Sequence, residues 1–394
     1  MKRQFLAAEN YCCSVRDGTH DTPVPTSSGF KLVTGKHIKN GVIDPYDAYY
    51  ISEDDFNSIN ARSRVEKWDV LMSMIGTVGE AAVVADTPLY AIKNVALFKC
   101  GGSEIKGKWL AYYLRSEEAK GHMRGNMKGS SQQFLSLKQL RSLPIPIASE
   151  HEMKKIVNAL SAYDDLIENN RKQIKLLEEA AQRLYKEWFI DLRFPGYETT
   201  PIIDGIPSGW EKKKLIDIAD VTMGQSPKSE FYNSNRDGLP FHQGVGSYGV
   251  RFVIDETYSS SFTRIAEAGD ILFSVRAPVG RLNVTLNKIA IGRGLAAIKH
   301  KNNLQSFLYY MLKEHFFKDD IIGNGSIFAS ITKDELTNFV LLVPRQDICE
   351  KFNTLTKDID SKVMILDKQI QSIKETRDRL LPKLMTGELE VNHD

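Results

Sequence analysis

Amide, guanidinium, ammonium and hydroxyl groups carried on glycine-rich loops are the side chains that read base edges and grip phosphates. Near the start of the chain the candidates of this kind are Thr19, His20, Lys36, Lys39, Asn40, Lys128, Ser130, Ser131, Gln132 and Gln133. Further on they are Gln225, Ser226, Lys228, Gln243, Arg276, Arg281, Arg293, Asn324 and Ser326. The loop Gly-Asn-Met-Lys-Gly-Ser at 125–130 returns as Gly-Asn-Gly-Ser at 323–326. Its repetition predicts a shared scaffold role such as phosphate contact, with Gln132, Gln133 and Phe328 beside it free to vary with the target. Taken singly, each residue also reads as an ordinary surface group.

Catalytic chemistry is harder to place. A DNA methyltransferase needs a loop of Asn or Asp, two prolines and an aromatic to hold a flipped base; Asp44-Pro45-Tyr46 lacks the second proline. The string Gly244-Val-Gly-Ser-Tyr-Gly249 spells a dinucleotide fingerprint but leads into 250–254, which reads as a strand, whereas the fingerprint must open a helix. There is no phosphate-binding loop with its Lys-Ser or Lys-Thr, and no HExxH or close Cys/His cluster, so neither nucleotide nor metal is expected. The acidic pairs Asp54-Asp55 and Asp319-Asp320 read as solvated turns. Four cysteines at 12, 13, 100 and 349, none in a CxxC pair, fit a reducing cytoplasm. No apolar run is long enough to span a bilayer, and the basic opening residues run into Glu9 and Asn10, unlike a signal peptide.

The elements that must position these groups come in two copies. Asp69-Val-Leu-Met-Ser73 with Val78-Gly79 returns as Asp270-Ile-Leu-Phe-Ser274 with Val279-Gly280. Leu110-x-Tyr112-x-Leu114 returns as Leu308-x-Tyr310-x-Leu312, and Lys172-Gln-Ile174 as Lys368-Gln-Ile370. Matches in one order along the chain indicate a tandem duplication. Each copy mixes β-prone runs (70–75, 81–84, 271–275, 339–343) with helical stretches such as 108–118, which predicts a mixed α/β domain. The net charge of +2 is uninformative, but 106–141 holds eight basic residues against two acidic ones, either a phosphate-facing surface or a solvated helix face.

A long helix is predicted after each domain. In the first, Ile156, Leu160, Tyr163, Ile167, Ile174, Leu177, Ala181, Leu184 and Trp188 recur at spacings of three and four, with Asn170 between Ile167 and Ile174 as a polar interruption that either fixes register or faces water. In the second the stripe is Phe352, Leu355 and Ile359, then a stutter, then Val363, Leu366, Ile370, Ile373, Leu380 and Leu384, with Pro382 expected to end or kink the helix. Charges along both helices are balanced, so the stripes are packing or partner surfaces. At 1.5 Å per residue each helix would be roughly 60 Å long, and an antiparallel pair would act as a spacer between two domains. The expected fold class is α+β: two mixed domains joined by two long antiparallel coiled-coil helices with pseudo-twofold symmetry.

With Ile206-Pro-Ser-Gly-Trp210, Gly224-Gln-Ser-Pro227, Leu143-Pro-Ile-Pro146, Arg183-Leu-Tyr-Lys-Glu-Trp-Phe-Ile-Asp191 and the closing Leu380-Leu-Pro-Lys-Leu-Met-Thr-Gly-Glu388, the chain resembles the specificity subunits of type I restriction-modification systems over nearly its whole length. The resemblance implies target recognition domains at 1–148 and 208–345, conserved helices at 149–190 and 346–386, a linker at 191–207 and a tail at 387–394. It implies a non-catalytic subunit that reads a bipartite, asymmetric site in double-stranded DNA. It further implies docking to two methyltransferase subunits, and through them to restriction subunits, with S-adenosylmethionine, ATP and Mg on those partners. The chain departs from the family in lacking a Pro-x-Gly-Trp opening in its first half, which predicts a first strand that is short or differently supplied, and in lacking a Glu-Gln pair at the helix starts. Two other readings stay open: a self-sufficient DNA-modifying enzyme with a divergent active site, and a coiled-coil adapter that binds only proteins.

Overall fold

A computed structural model describes residues 3–125, 134–316 and 330–391. The chain divides into two compact units, Met1–Leu166 with Ser372–Asp394, and Ile167–Gln371. Each long helix contributes residues to both units.

In the first unit, a four-stranded antiparallel sheet has the order Ser14–Asp17, Val95–Lys99, Val70–Ser73, Ala81–Val83. Strand side chains alternate between faces, and here both faces are covered. Val70, Met72, Ala96 and Phe98 face a core built on Trp109–Leu114 of helix Glu104–Arg115, while Leu71 and Leu97 pack with Val33, Ile38 and Ile92. That double burial is why 70–72 reads as an unbroken apolar run. A second, three-stranded sheet places Phe30–Val33 between Tyr50–Ile51 and Tyr90–Ile92, the latter pairing parallel. The stretch expected to be one helix at 108–118 is two, Glu104–Arg115 and Glu117–Arg124, because Ser116 leaves the helical conformation and caps the second through its hydroxyl.

The second unit repeats this plan. Its four-stranded sheet has the order Ala219–Met223, Leu295–His300, Ile271–Ser274, Leu282–Val284, and Leu239–His242 pairs parallel with Ile289–Ile291. Helix Gln305–Phe316 takes the place of Glu104–Arg115. The segment 250–254, expected as a strand, forms only isolated bridges at Phe252 and Val253.

Each unit is closed by an antiparallel strand pair. Glu211–Lys214 pairs with Val340–Val343, and Gln4–Ala7 pairs with Pro144–Ile147. The first half therefore has an opening strand of the same four-residue length as the second, supplied by the chain's first residues. Pro144 and Pro146 have the same parity, so their missing N–H groups fall on one side of a ribbon edge, where a strand tolerates proline.

The long helices are Glu150–Phe189 and Gln346–Thr386. Ile156, Leu160, Ile167, Ile174, Trp188, Phe352, Val363, Leu366, Ile370 and Leu384 are buried. Tyr163, Leu177, Leu184, Ile359, Ile373 and Leu380 are half-buried. Leu355 is the exception: it is 51 % exposed, and Thr356 is buried in its place. In the second unit the helices run antiparallel, with Asn170 Nδ2 donating to Gln369 Oε1 at 3.3 Å and the Trp188 and Phe352 rings 5.9 Å apart. Asn170 is buried and paired, not turned to water. Helix Gln346–Thr386 also continues past Pro382, which therefore does not end it. Leu381, Leu384 and Met385 are buried in the first unit's core, and their packing holds the last turn despite the missing backbone donor.

Candidate nucleic-acid interface

One backbone arrangement occurs in both units. After strand Ser14–Asp17 comes Gly18, whose place a Cβ could not share, since it would lie 2.3 Å from Ile92 O; after Ala219–Met223 comes Gly224, where the nearest atom would be Gly292 O at 2.1 Å. The next residue donates its N–H to the parallel strand, Thr19 to Ile92 O at 3.0 Å and Gln225 to Ile291 O at 2.9 Å. The residue after that meets the end of the same strand: His20 Nδ1 lies 2.7 Å from Asn94 Oδ1, and Ser226 Oγ accepts from Arg293 N at 3.1 Å. The two glycines let strand edges approach closely, and polar side chains gather where they do.

The sheet's central turn completes the arrangement. Ser73 Oγ donates to Thr77 O and accepts from Glu80 N at 3.0 Å; Ser274 Oγ donates to Pro278 O at 2.6 Å and accepts from Arg281 N at 2.8 Å. Ile75 bridges Phe134 and Arg276 bridges Ser330 at matching positions.

The side chains on this common frame differ. In the second unit, Gln225, Ser226, Lys228, Gln243 and Arg293 line one cleft of about 580 Å³ together with Tyr232. Gln243 and Arg276 line an adjoining hollow of about 140 Å³. Six of the residues expected from sequence are therefore neighbours, and Gln225, Lys228, Gln243, Arg276 and Arg293 are exposed. The Arg276 and Arg293 guanidinium groups form no ion pair among the described residues. Two unpaired cations beside two amides suit a partner that offers anionic oxygens and base edges. Arg281, also expected here, stands at the end of the Ser274 turn and is engaged by other groups.

The first unit presents Thr19, His20 and Asn94 at the matching edge. His20 is held between Asn94 and Asp17, whose Oδ2 is 3.0 Å from Nε2. Lys36 lies on the adjoining loop and pairs with Asp47 at 3.1 Å. Lys39 and Asn40 are exposed on a separate hairpin, Ile38–Lys39 with Val42–Ile43, where Asn40 N donates to Glu80 Oε2 at 3.0 Å. Among the described residues no hydrogen bond or ion pair links them to the Thr19–Asn94 edge. Lys128, Ser130, Ser131, Gln132, Gln133, Asn324 and Ser326, with Phe328 and the Asp319-Asp320 pair, lie outside the described residues. Much of the basic excess at 106–141 goes into local pairs (Lys108–Glu104 at 2.7 Å, Lys120–Glu117 at 3.0 Å, Arg124–Glu117 at 3.3 Å), which favours the solvated-face reading for that segment.

Sequence reasoning missed the buried polar groups behind these edges. His37, 4 % exposed, has its imidazole pushed below the ordinary range, by burial first, although Asp47 lies 3.2 Å away. His242 is flanked by Ser247 and Asp255 at 2.8 and 3.0 Å. Arg251 is fully buried, lies 3.2 Å from the centre of the Tyr309 ring, and pairs with Glu178 and Asp360 of the two long helices. Tyr310 Oη also donates to Asp360, at 2.9 Å, as Tyr112 Oη does to Asp164 at 2.8 Å in the first unit. Only the Tyr112/Tyr310 repeat carried a signal of this in the sequence.

Among the described residues no helix is long and apolar enough to cross a membrane, and no three His, Cys, Asp or Glu converge to hold a metal. A family model described as type I restriction modification DNA specificity domain matches residues 25–179 and again 207–375. The type I restriction enzyme MjaIX specificity subunit of Methanocaldococcus jannaschii is 29 % identical over 91 % of this chain and 86 % of its own length. The HindI specificity subunit of Haemophilus influenzae is 20 % identical over 84 % and 88 %. Among solved structures, the S subunit of a type I restriction-modification system from M. genitalium is similar over 99 % of this chain and 96 % of that one, at 16 % identity and a TM-score of 0.52. That last likeness speaks for the fold.

Proposed function

The chain belongs to the type I restriction modification DNA specificity family, and from that premise we propose that each unit reads one half of a bipartite, asymmetric duplex site through the edge described above. A member of this family supplies recognition; the enzymatic steps belong to other subunits. The observation that carries the reading is the repeated frame with unlike side chains. Thr19, His20 and Asn94 in one unit answer to Gln225, Ser226 and Arg293 in the other, on backbone that makes the same hydrogen bonds. A duplicated scaffold whose exposed groups have diverged suits two different half-sites. Gln243, Arg276 and Arg293 are the groups best suited to base edges, and Lys228 and Ser226 to phosphate.

The long helices are the elements we assign to two methyltransferase subunits, with restriction subunits joining through them in the cytoplasm. S-adenosylmethionine, ATP and Mg would be held by those partners. The full chain, combined with its modification subunits, is tested on a randomised duplex library. Gln243→Ala and Arg276→Ala each relax base preference by roughly tenfold at positions of one half-site, the worth of one good base contact, and leave the other half unchanged. Equal relaxation of both halves would refute the assignment of one half to each unit. Incorporation of labelled methyl groups by the chain alone would favour the enzyme reading instead.

A further inference from the structure

In each unit the loop that follows the parallel-paired strand is spanned by a buried histidine. In the first, strand Phe30–Val33 leads into 34–37, and Thr34 N donates to His37 Nδ1 at 2.8 Å while His37 N donates back to Thr34 O at 3.0 Å. A backbone N–H can only donate, so Nδ1 is the bare nitrogen and Nε2 carries the proton. Nε2 stands 3.2 Å from Asp47 Oδ1 without making a hydrogen bond to it, and the other oxygen of Asp47 takes Lys36 Nζ at 3.1 Å. One carboxylate therefore faces both the buried histidine and an exposed cation of the same loop.

In the second unit, strand Leu239–His242 leads into Gln243–Ser247. His242 Nε2 lies 3.0 Å from Asp255 Oδ1, and its Nδ1 lies 2.8 Å from the Ser247 hydroxyl. Asn287 Nδ2 steadies the far oxygen of Asp255 at 3.3 Å. The histidines occupy opposite ends of their loops: Val33 and His242 are at matching places, since Lys93 N donates to Val33 O and Gly292 N to His242 O. Copying of one ancestral histidine does not explain the pairing. Each unit has reached a like device, a loop bridged by an imidazole with an aspartate beside its far nitrogen, hydrogen-bonded in the second unit and 3.2 Å away in the first, with different residues.

We propose that His37–Asp47 and His242–Asp255 are the positioning devices of the two recognition loops, setting half-site selectivity without touching DNA. The inference rests on the recognition reading above. What each holds is the backbone that carries Lys36 in one loop and Gln243 in the other. A base contact that discriminates needs its side chain placed to within a fraction of an ångström, and an unclamped loop of four or five residues loses that placement first.

Two measurements on the full chain separate this role from mere core packing. In randomised-duplex selection with the modification subunits present, His37→Leu loses roughly tenfold preference in one half-site only, and His37→Asn, which keeps an acceptor near Nδ1, restores most of it. Ser247→Ala, a smaller deletion that leaves the core filled, does the same to the other half. Hydrogen exchange of the Thr34 amide rises at least tenfold in His37→Leu and not in His37→Asn. Unchanged Thr34 exchange in His37→Leu overturns the clamp, and so does relaxation of both half-sites or of neither. A wild-type chain that selects no motif overturns the recognition reading instead, and the exchange result still judges the clamp.

Discussion

His300 ends strand Leu295–His300 at 6 % exposure, with its Nδ1 accepting from Asn302 N at 3.0 Å. Burial pushes its pKa down to about 4 from 6.5. As pH falls, the unfolded chain binds this proton first, so the stabilisation is full above pH 6.5 and is lost between there and about 4. The drop amounts to about 3 kcal/mol in the second unit, on the scale of 1.36 kcal/mol per pH unit. Urea unfolding at pH 7 and pH 4.5 measures it, and His300→Asn, which retains an acceptor for Asn302 N, flattens the profile. An unaltered slope in that variant would place the acid sensitivity elsewhere. Residue type alone hides such groups. A histidine, like Arg251, is read from sequence as exposed and available, and only packing reveals that one is dry and the other spent on Glu178 and Asp360.

The same limit shows at the level of helices and strands. The heptad stripes were legible because an apolar spacing of three and four has few other uses. What misled was the stutter: Leu355 satisfies the spacing in letters, but the buried face continues from Phe352 through Thr356 to Val363, and Thr356 pairs its hydroxyl with Phe352 O at 2.9 Å. Tyr185 and Phe189 escaped notice for a related reason. They sit where the partner helix and the domain core meet: Phe189 lies 5.1 Å from Phe352 of the partner helix and 5.4 Å from Phe307 of the domain. A seam read against one partner helix cannot show a second one. The polar edge was legible where glycine and amide letters coincide, at Gln225 and Gln243, while Asn94 and the histidine clamps depend on strands distant in sequence. Phe352→Ala is expected to destabilise the second unit by about 3–5 kcal/mol, and Leu355→Gln by no more than about 0.5 kcal/mol. Denaturant midpoints for the two variants decide between the faces; comparable losses would return Leu355 to the seam.

At the scale of the whole chain, duplication produced two units of like plan whose boundaries cross the linear repeat. The first unit needs residues from both ends of the sequence: Leu381, Leu384 and Met385 join Met153, Ile156, Val157 and Leu160 in its core. Arg3 Nη2 donates to Leu384 O at 2.9 Å, and Arg377 pairs with Asp164. The second unit lies wholly within 167–371. Removing 372–394 should therefore damage the unit that is farther away in sequence. Each of the three buried apolar side chains contributes about 1.5–3 kcal/mol, and Asp164 would lose a cation beside a half-buried carboxylate, so the loss is of the same order as the roughly 5–15 kcal/mol stability of a typical domain. Amide exchange reads the two units apart: in the truncated chain, residues 109–114 of the first unit's central helix lose protection by orders of magnitude, while 307–312 of its counterpart keep theirs. Loss confined to the second unit would mean that the repeat boundary and the cooperative boundary coincide after all, and loss shared equally that the chain unfolds as one body.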